Sequence, residues 1–547
     1  MRPILAAAFL VLCLCATDGQ LHAANMPEDP VLRALKEEME RSKAKLKMDN
    51  VAAPYYIEYR VTELDDFEAN AAFGALRSQQ RGNGRFLRVV VRIGGYKQDS
   101  YYGGGQGTVD LVPLDDDEFA IRRRVWLATD RAYKTAGEAL SAKESVLKTL
   151  TIDQPVDDFA QATPVELIEP IAHLPAQDFT PWVQLLEESS DFYRGDLHLE
   201  DFEASLRFVA QNNYFVNSEG TVARTGTANY SIVVAGTTQA ADGQFLQRSH
   251  QDEAAELDAL PSQEQFLKTA ARMLETLKRL REAPLVDEEY RGPVLFSSDA
   301  GASVVAGLIE PNLLGTKPKL GENARTTGYW SSSYDSRVLP EFINVFDDPT
   351  ISSFAGRPLF GHYTLDDEGV RARRVSLIEK GKLVSYLIGR QPIRDFAVSN
   401  GHGRAAPTDG AAPQPGNFIL ESIEPQSDAD LKKKLLDLAR QRDLPYALYV
   451  ETTGPRLEPR LLYRVYTNDG HEELVRGGVF GDLDARSLRR DLIAAGATPD
   501  IETHLESVPY SVVSPALLFD ELQVKRTQAS KQALPEYPAP PLTPAAH

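Results

Sequence analysis

The stretch that decides the fold is GPVLFSSDAGASVVAGLIEPNLLGTK, residues 292–317. Its pattern predicts a short strand at 294–296, a polar turn and then a helix with one buried face. Ser297, Ser298 or Asp299 could cap that helix. Gly315 could end it. The stretch contains no histidine, so its helix has no imidazole that could bind a metal.

Length and charge limit the classes of function. A chain of 547 residues is long enough for two or three domains with substantial cores. The formal net charge of −20 repels phosphate groups over most of the surface. We therefore expect neither nucleic acid nor an anionic membrane as a main partner.

The N-terminus has the pattern of a secretory signal. A positive Arg2, an apolar core and small residues near position 23 predict a signal peptide over residues 1–23. The protein is therefore expected to be exported, to the periplasm, with no integral membrane span after cleavage. An uncleaved N-terminal anchor is the alternative. The two cysteines, Cys13 and Cys15, lie inside this signal, so the mature chain would have neither disulfides nor thiolate ligands.

The fold class predicted by the remaining pattern is α+β. Residues 24–152 form an expected N-terminal α+β domain and residues 153–285 a central domain, both mixing helices with antiparallel sheet. Residues 286–524 contain many short strands separated by Gly, Pro, Asn and Asp, which indicates a curved, barrel-like antiparallel sheet. The Pro- and Ala-rich residues 525–547 are expected to be a disordered tail.

Two short stretches could be taken for ligand sites. The loop YYGGGQG, residues 101–107, resembles a phosphate-binding loop, but no Lys-Ser/Thr pair follows it, and a flexible hairpin loop is the favoured interpretation. The acidic run DDDE, residues 115–118, is interpreted as a solvated turn or a helix cap, with bound calcium as the minor alternative.

The histidines do not form a recognisable zinc motif. A helical zinc site of the metallopeptidase type needs two imidazoles at close spacing on one helix face, and no such pair occurs in the sequence. His362 and His402 lie in polar loops of the same region and could share a metal with nearby carboxylates. The candidate carboxylates are Asp366, Asp367 and Glu368. Loop hydrogen bonding is the favoured interpretation of these residues. There is also no G-x-S-x-G serine motif, so the residue chemistry alone assigns no catalytic residue.

Four blocks in the C-terminal part of the chain are distinctive: GHYTLDDEGVRARRVSLIEKGKLVSYLIGR (361–390), SNGHGR (399–404), PQPGNFIL (413–420) and ELVRGGVFGDLDARSLRRDLIAAG (473–496). In these blocks the chain resembles the TldD/PmbA family of metalloproteases, once labelled modulators of DNA gyrase. Residues 123–136, 216–224 and 237–246 resemble the N-terminal and central parts of exported members. The family-signature loops contain Asp366, Asp367, Glu368, Gly369, Asn400, Gly401, His402, Gly403 and Arg404.

The resemblance implies dimers that act on extended or unfolded peptides. Active members carry an H-E-x-x-x-H zinc motif on the helix that opens the C-terminal domain, and a cysteine as third ligand. Residues 303–315 offer one carboxylate there, Glu310, and no imidazole, while the mature chain has no cysteine. The chain therefore resembles the TldE type, which has no zinc motif and pairs with an active subunit.

Three hypotheses follow for the function. In the first, a metal-free TldE-like protein binds extended peptides and supports a TldD-like catalytic subunit, or acts as a homodimer. In the second, the protein is a metallopeptidase with zinc at a non-standard site formed by His362 and His402 with Asp366 or Glu368. The third is a purely structural role in the envelope or in assembly.

Overall fold

The computed structural model describes residues 29–152, 155–196 and 198–528. The predicted signal, both cysteines and nearly all of the predicted tail lie outside these residues. Within the described ranges, no helix is both long enough and apolar enough to cross a membrane.

The first part of the chain contains four helices and eight strands among its described residues. They are α1 (Pro30–Lys45), β1 (Pro54–Ala72), β2 (Ala75–Gly95), β3 (Gln98–Asp99), β4 (Thr108–Leu111), α2 (Glu118–Leu147), β5 (Glu166–Ile168), α3 (Thr180–Ser190), β6 (Leu199–Asn217), β7 (Val222–Gln239), β8 (Phe245–Ala254) and α4 (Gln263–Glu282). The strand order is β3-β2-β1-β6-β7-β5, with β4 on β2 and β8 on β7. Only β5 and β7 pair in parallel among these described strands.

One sheet joins the two regions that the sequence separates at residue 152. Strand β1 pairs with β6 from Glu58 opposite Asn217 to Ala72 opposite Glu203. Helices α1 and α2 cover one half of the sheet, where Tyr59 and Val125 are fully buried. Helices α3 and α4 cover the other half. Apolar side chains from both regions are thus removed from water against the same sheet.

The second part of the chain forms a larger sheet. Its elements are β9 (Glu289–Phe296), α5 (Ser298–Leu308), β10 (Ile343–Asp347), β11 (Ser353–Phe354), β12 (Arg357–Pro358), β13 (Val375–Glu379), β14 (Lys382–Leu383), β15 (Gly403–Arg404), β16 (Ala412–Pro413), β17 (Asn417–Ser422), α6 (Asp428–Gln441), β18 (Tyr446–Thr453), β19 (Pro459–Tyr466), β20 (Glu472–Val475), β21 (Gly478–Phe480), α7 (Ala485–Arg490), β22 (Leu492–His504) and β23 (Tyr510–Arg526). The main path is β14-β13-β10-β17-β23-β9-β18-β19-β20, with β21 and β22 on β23.

These two sheets confirm the α+β class. Most pairs in the larger sheet are antiparallel, but β17 pairs with β23 and β9 with β18 in parallel. The two end strands of this path, β14 and β20, do not pair with each other in the part of the chain that the structure describes. The sheet is therefore open and not a closed barrel. Parallel neighbours require long crossover connections, and α5, α6 and the extended loops supply them.

The helix predicted within residues 292–317 is present but shorter than the pattern suggests. Ser297 caps it, because its side chain accepts a hydrogen bond from the Ala300 N–H at 3.0 Å. The helix ends at Leu308, and Glu310–Asn312 form a separate 3-10 turn. Pro311 disfavours helical backbone at the residue before it, which explains why Gly315 is not the end of the helix.

The two short stretches considered as ligand sites have structural roles in the fold. Within loop 101–107, residues Gly103–Gln106 form a 3-10 turn between β3 and β4. At the acidic run, the Asp117 side chain accepts a hydrogen bond from the Ala120 N–H and caps α2. Asp117 is therefore a helix cap, as the favoured interpretation of the run requires.

Candidate functional site

Helix α5 is held rigidly at the centre of the C-terminal part. Ser297 at its N-terminus donates a hydrogen bond to the Glu451 carbonyl at 2.6 Å, which fixes the helix to β18. Val304 and Val305 are fully buried in the largest apolar core. A Cβ at Gly301 would lie 2.6 Å from the Pro515 carbonyl oxygen, so the helix approaches β23 too closely for any side chain. The face of α5 toward the sheet is therefore apolar and tightly packed.

Glu310 is the one carboxyl at the end of this helix. It is only 7% exposed, and burial raises its pKa to about 7. The nearby His504 lowers this pKa and the nearby Asp347 raises it, so both groups are within electrostatic reach. The His504 ring stacks on Tyr510, with ring centroids 4.3 Å apart. His504 Nε2 also lies 3.3 Å from a carboxylate oxygen of Glu502.

His402 forms a buried ion pair with Asp347 beside this region. Both side chains are fully buried, and His402 Nε2 lies 3.0 Å from Asp347 Oδ1. On the other side, Nδ1 lies 3.1 Å from both the backbone oxygen and Oδ1 of Asn400. Asp347 and Asn400 therefore hold the ring between acceptor atoms on both of its sides. Asp347 also accepts from the Gly416 N–H.

The two family-signature loops meet each other in the structure. Asp366 is buried and accepts hydrogen bonds from the N–H groups of Glu368, Val370 and Gly403 at 3.1, 2.8 and 2.9 Å. Burial raises the pKa of Asp366, and the neighbouring Glu368 raises it further. Asp367 accepts from the Ala405 N–H at 2.9 Å. Asp366 and Asp367 of the first loop thus accept hydrogen bonds from the backbone of the second loop.

The remaining signature residues shape these loops. Gly369 and Gly401 have φ angles of +79° and +80°, which favour glycine. A Cβ at Gly403 would lie 2.1 Å from a carboxylate oxygen of Glu368. Asn400 accepts from the Ile388 N–H and donates to the Tyr386 carbonyl. Arg404 donates to the carbonyls of Pro415 and Pro509 and stacks on Tyr363 at 4.6 Å. Every one of these contacts is internal to the fold.

The loops also connect the two parts of the chain. Arg390 is fully buried and donates to Glu219 at 2.8 Å. Its guanidinium donates two hydrogen bonds to the Ala160 carbonyl, at 2.9 and 2.7 Å, and stacks on Phe159 at 4.0 Å. Its own N–H donates to Glu368, whose pKa burial raises to about 7. One arginine therefore joins the first sheet, the 155–165 segment and the first signature loop.

A groove lies between the face of the first sheet and the β22–β23 turn. It has a volume of about 530 Å³ and includes His504, which also lies near Glu310. Neutral amides and hydroxyls predominate in its lining, which includes Asn70, Ser78, Gln80, Ser205, Ser231, Gln251 and Thr503. Such side chains donate to and accept from the N–H and C=O groups of a peptide backbone.

Known proteins resemble this chain in sequence and in fold. The PmbA/TldA metallopeptidase C-terminal domain matches residues 289–452. A metalloprotease of Methanocaldococcus jannaschii is 34% identical over 122 residues, which are 22% of this chain and 23% of that protein. A metalloprotease of Archaeoglobus fulgidus is 33% identical over 75 residues, which are 14% of this chain and 16% of that protein.

A solved structure gives the likeness over almost the whole chain. TldE from Thermococcus kodakarensis superposes with a TM-score of 0.57 at 13% identity, over 90% of this chain and 99% of that one. A candidate modulator of a DNA gyrase from Thermotoga maritima superposes with a TM-score of 0.59 at 12% identity, over 90% of this chain and all of that one. Residues 289–452 of the chain form a C-terminal domain of the TldD/PmbA family. The aligned stretches span less than a quarter of either archaeal metalloprotease, and the structural likeness establishes the shared fold alone.

The zinc site implied by the TldD/PmbA family does not fit the residues around α5. Glu310 is a single carboxyl, and α5 itself contributes only small and apolar side chains on its buried face. His362 is exposed, with Nδ1 2.8 Å from the Pro349 carbonyl, while His402 is turned toward Asp347 and away from Asp366 and Glu368. The second hypothesis requires His362 and His402 to share a metal with Asp366 or Glu368, whereas the two rings contact the Pro349 carbonyl and Asp347 instead. Across residues 29–152, 155–196 and 198–528 there is no group of three His, Cys, Asp or Glu that could hold a metal ion.

The sequence does not identify two residues at this site, Asp347 beside His402 and His504 near Glu310. Asp347 is 55 residues from His402, and His504 is almost 200 residues from Glu310, so no local spacing indicates either contact. The positions of Asp347 and His504 at strand ends are weak indications of a functional role. Asp347 ends a buried strand, and His504 ends a strand in front of a turn, where functional side chains are often found.

Proposed function

We propose that this protein is an exported, metal-free subunit of the TldE type, which binds extended peptides and supports proteolysis by a TldD-like catalytic partner. The observation that carries the proposal is the donor set at the end of α5, where Glu310 stands without an imidazole or a thiolate beside it on that helix. Zinc in peptidases needs about three protein ligands together with an open position. One carboxyl that is half protonated near pH 7 is a poor substitute for that set.

Without such a metal the chain lacks the usual means of cleaving a peptide. A zinc ion would polarise the peptide carbonyl and lower the pKa of an attacking water. Neither effect can come from a buried His402, because its two nitrogens are already engaged by Asp347 and Asn400. A role in holding substrate for another subunit is compatible with this arrangement.

The groove beside β22 supports peptide binding. Its neutral polar lining suits backbone groups of any sequence, and a strand in this groove would lie against the open face of a sheet. Among its lining residues, Glu68 and Arg207 neutralise each other through a contact of 2.8 Å. Glu506, at the β22–β23 turn, leaves the groove with one negative charge that no ion pair within the described residues balances, so we expect a modest preference for basic peptides.

The partner and the compartment belong to the same proposal. A TldE has been solved among the proteins that share this fold, which supports a TldD-like partner for the present chain, or a homodimer in its place. Export rests on the signal pattern of residues 1–23. In that compartment a cytoplasmic gyrase is out of reach.

Zinc content and peptide binding test the proposal together. The protein, purified without chelator and without a His-tag, is measured for zinc by mass spectrometry and titrated with a fluorescent unstructured peptide. We expect substoichiometric zinc, saturable peptide binding and hydrolysis only when a TldD-like subunit is added. Stoichiometric zinc whose removal abolishes hydrolysis would favour the metallopeptidase with a non-standard site.

A pair of tryptophan substitutions tests the groove itself. Gln80 lines the groove, whereas Gln79 is adjacent on β2 and points to the opposite face of the sheet. We expect Gln80→Trp to fill the groove and weaken peptide binding at least tenfold. Gln79→Trp should leave it unchanged. Equal affinities in both variants would place the peptide elsewhere or remove the peptide-binding role.

A further inference from the structure

A second cavity lies between the two parts of the chain, well apart from α5. Its volume is about 660 Å³, which is within the range of small-molecule sites. The Gly-rich loop 101–107, the C-terminal end of α2 and the segment 317–325 form its walls. Neither the peptide groove nor the signature loops share these residues.

The cavity is basic in a strongly acidic chain. Six of its lining residues are basic and two, Asp158 and Glu322, are acidic. The basic ones are Lys97, Lys143, Lys317, Lys319, Arg325 and Arg394. The whole chain carries a formal charge of −20, so this excess of positive charge is the reverse of the average surface. A concave wall of one sign concentrates ions of the opposite sign.

The inner wall has one more positive charge than its carboxylates balance. Lys143 and Lys317 both contact the same carboxylate of Asp158, at 2.5 and 3.1 Å. The nearest second carboxylate, Asp99, is engaged by Arg92 at 2.8 Å and lies 3.8 Å from Lys143. Burial lowers the pKa of Lys317, and the neighbouring Lys143 also lowers it. Lys317 Nζ also donates to the carbonyls of Val156 and Asp157, so its positive charge attracts an anion through the field in the cavity and not through a free N–H.

The rim adds two lysines without partners of opposite charge. Lys97 and Lys319 are exposed, and neither makes an ion pair with any residue in the described ranges. Arg325 differs, because Asp395 lies 2.7 Å from it and neutralises it. The rim lysines are thus free to approach a ligand in the cavity.

Part of the remaining wall is apolar. Val146 and Leu147 come from the end of α2, and Ile152, Leu320 and Ile393 come from the surrounding loops. Ile152 is 40% exposed, so its side chain is accessible from the cavity. This combination of apolar wall and lysine rim suits a ligand with an apolar body and an anionic end.

We propose that this cavity binds a small organic anion, whose carboxylate, phosphate or sulfonate group pairs with Lys97 and Lys319 while its aromatic or aliphatic body packs on Val146 and Ile152. The proposal is independent of peptide binding in the groove. It gives the Gly-rich loop 101–107 a role as one wall of a binding site rather than as a phosphate-binding loop.

The test uses two dyes of nearly the same shape. 8-Anilinonaphthalene-1-sulfonate is anionic, and N-phenyl-1-naphthylamine is its neutral counterpart. We expect saturable fluorescence of the anionic dye with the wild-type protein, weakened by NaCl. The double variant Lys97→Glu/Lys319→Glu should weaken the anionic dye about tenfold, because each reversal replaces an attraction by a repulsion at short range. Binding of the neutral dye should not change.

A matched control separates the cavity from overall charge. Lys433 and Lys525 are also exposed lysines, far from the cavity in α6 and β23, so Lys433→Glu/Lys525→Glu makes the same charge change. It should leave both dyes unaffected, and unfolding curves should show that both double variants are folded. Phenyl phosphate and benzoate then compete for the site and distinguish a phosphate from a carboxylate. Equal affinity of the anionic dye in the two double variants, or displacement by neither competitor, would overturn the proposal.

Discussion

At the scale of single residues, the burial of Glu310 makes the stability of the fold depend on pH. In the folded chain the Glu310 carboxyl has a pKa of about 7, compared with the ordinary value of 4.5. Between these pH values the folded state binds more protons than the unfolded state, so stability falls as the pH rises. Burial therefore makes Glu310 a source of instability at neutral pH, unlike a salt-bridged carboxylate.

Replacing Glu310 by glutamine should remove this pH dependence. We expect Glu310→Gln to match the wild type near pH 4.5 and to be more stable above pH 7, by on the order of 2–3 kcal/mol. Urea unfolding measured from pH 4.5 to 8 tests it, with the exposed Glu138→Gln as control. A stability difference that stays constant across this range would contradict the burial argument.

The buried pair of His402 and Asp347 gives a second prediction at this scale. Removing one partner leaves the buried polar atoms of the other without their hydrogen bond, which costs about 1–3 kcal/mol. We expect both His402→Ala and Asp347→Ala to lower the urea midpoint strongly, and the double variant to lose less than the sum of the two. Additive losses would show that the two side chains do not interact as a pair.

At the scale of elements, two glycines of α5 should respond oppositely to alanine. A Cβ at Gly301 would lie 2.6 Å from the Pro515 carbonyl oxygen, a backbone atom that cannot easily move. A Cβ at Gly307 would lie 3.4 Å from the side chain of Leu457, an ordinary contact. We expect Gly301→Ala to destabilise by about 1–3 kcal/mol. Gly307→Ala should be neutral or stabilise by up to about 1 kcal/mol through helix propensity. Thermal unfolding of the two variants measures the contrast, and similar losses in both would refute close packing at Gly301.

The elements also show what local sequence can and cannot determine. The cap of α5 at Ser297 follows from residue chemistry and could be predicted, and so could the α+β class from alternating runs and amphipathic helices. The pairing of β1 with β6 could not, because its partners are more than 130 residues apart and their periodicity fits many other pairings. The same distinction between local and long-range features applies to the candidate site. The missing histidines of α5 are visible in the sequence, whereas the contact of His402 with Asp347 depends on how distant loops meet.

At the scale of the whole molecule, two small apolar clusters and a set of arginine contacts join the two sheets. Arg390 reaches Glu219 and the Ala160 carbonyl from the C-terminal part. Arg60 of β1 donates to the Ala406 and Asp409 carbonyls, and Arg88 of β2 donates to the Thr408 carbonyl. Arginine suits such a junction, since its planar guanidinium binds several carbonyls at once and stacks on aromatic rings.

Substituting Arg390 should therefore separate the unfolding of the two parts. Lysine keeps the charge but loses the double contact to Ala160 and the stacking on Phe159 and Tyr56. We expect Arg390→Lys to cost about 2 kcal/mol or more and to split a single calorimetric transition into two, one for each sheet. Arg486→Lys, at a side chain that is 78% exposed, should change neither quantity. If Arg390→Lys kept one transition at the wild-type temperature, the junction would depend on Arg60, Arg88 and the signature loops, and Arg390 would be only one of several interchangeable contacts.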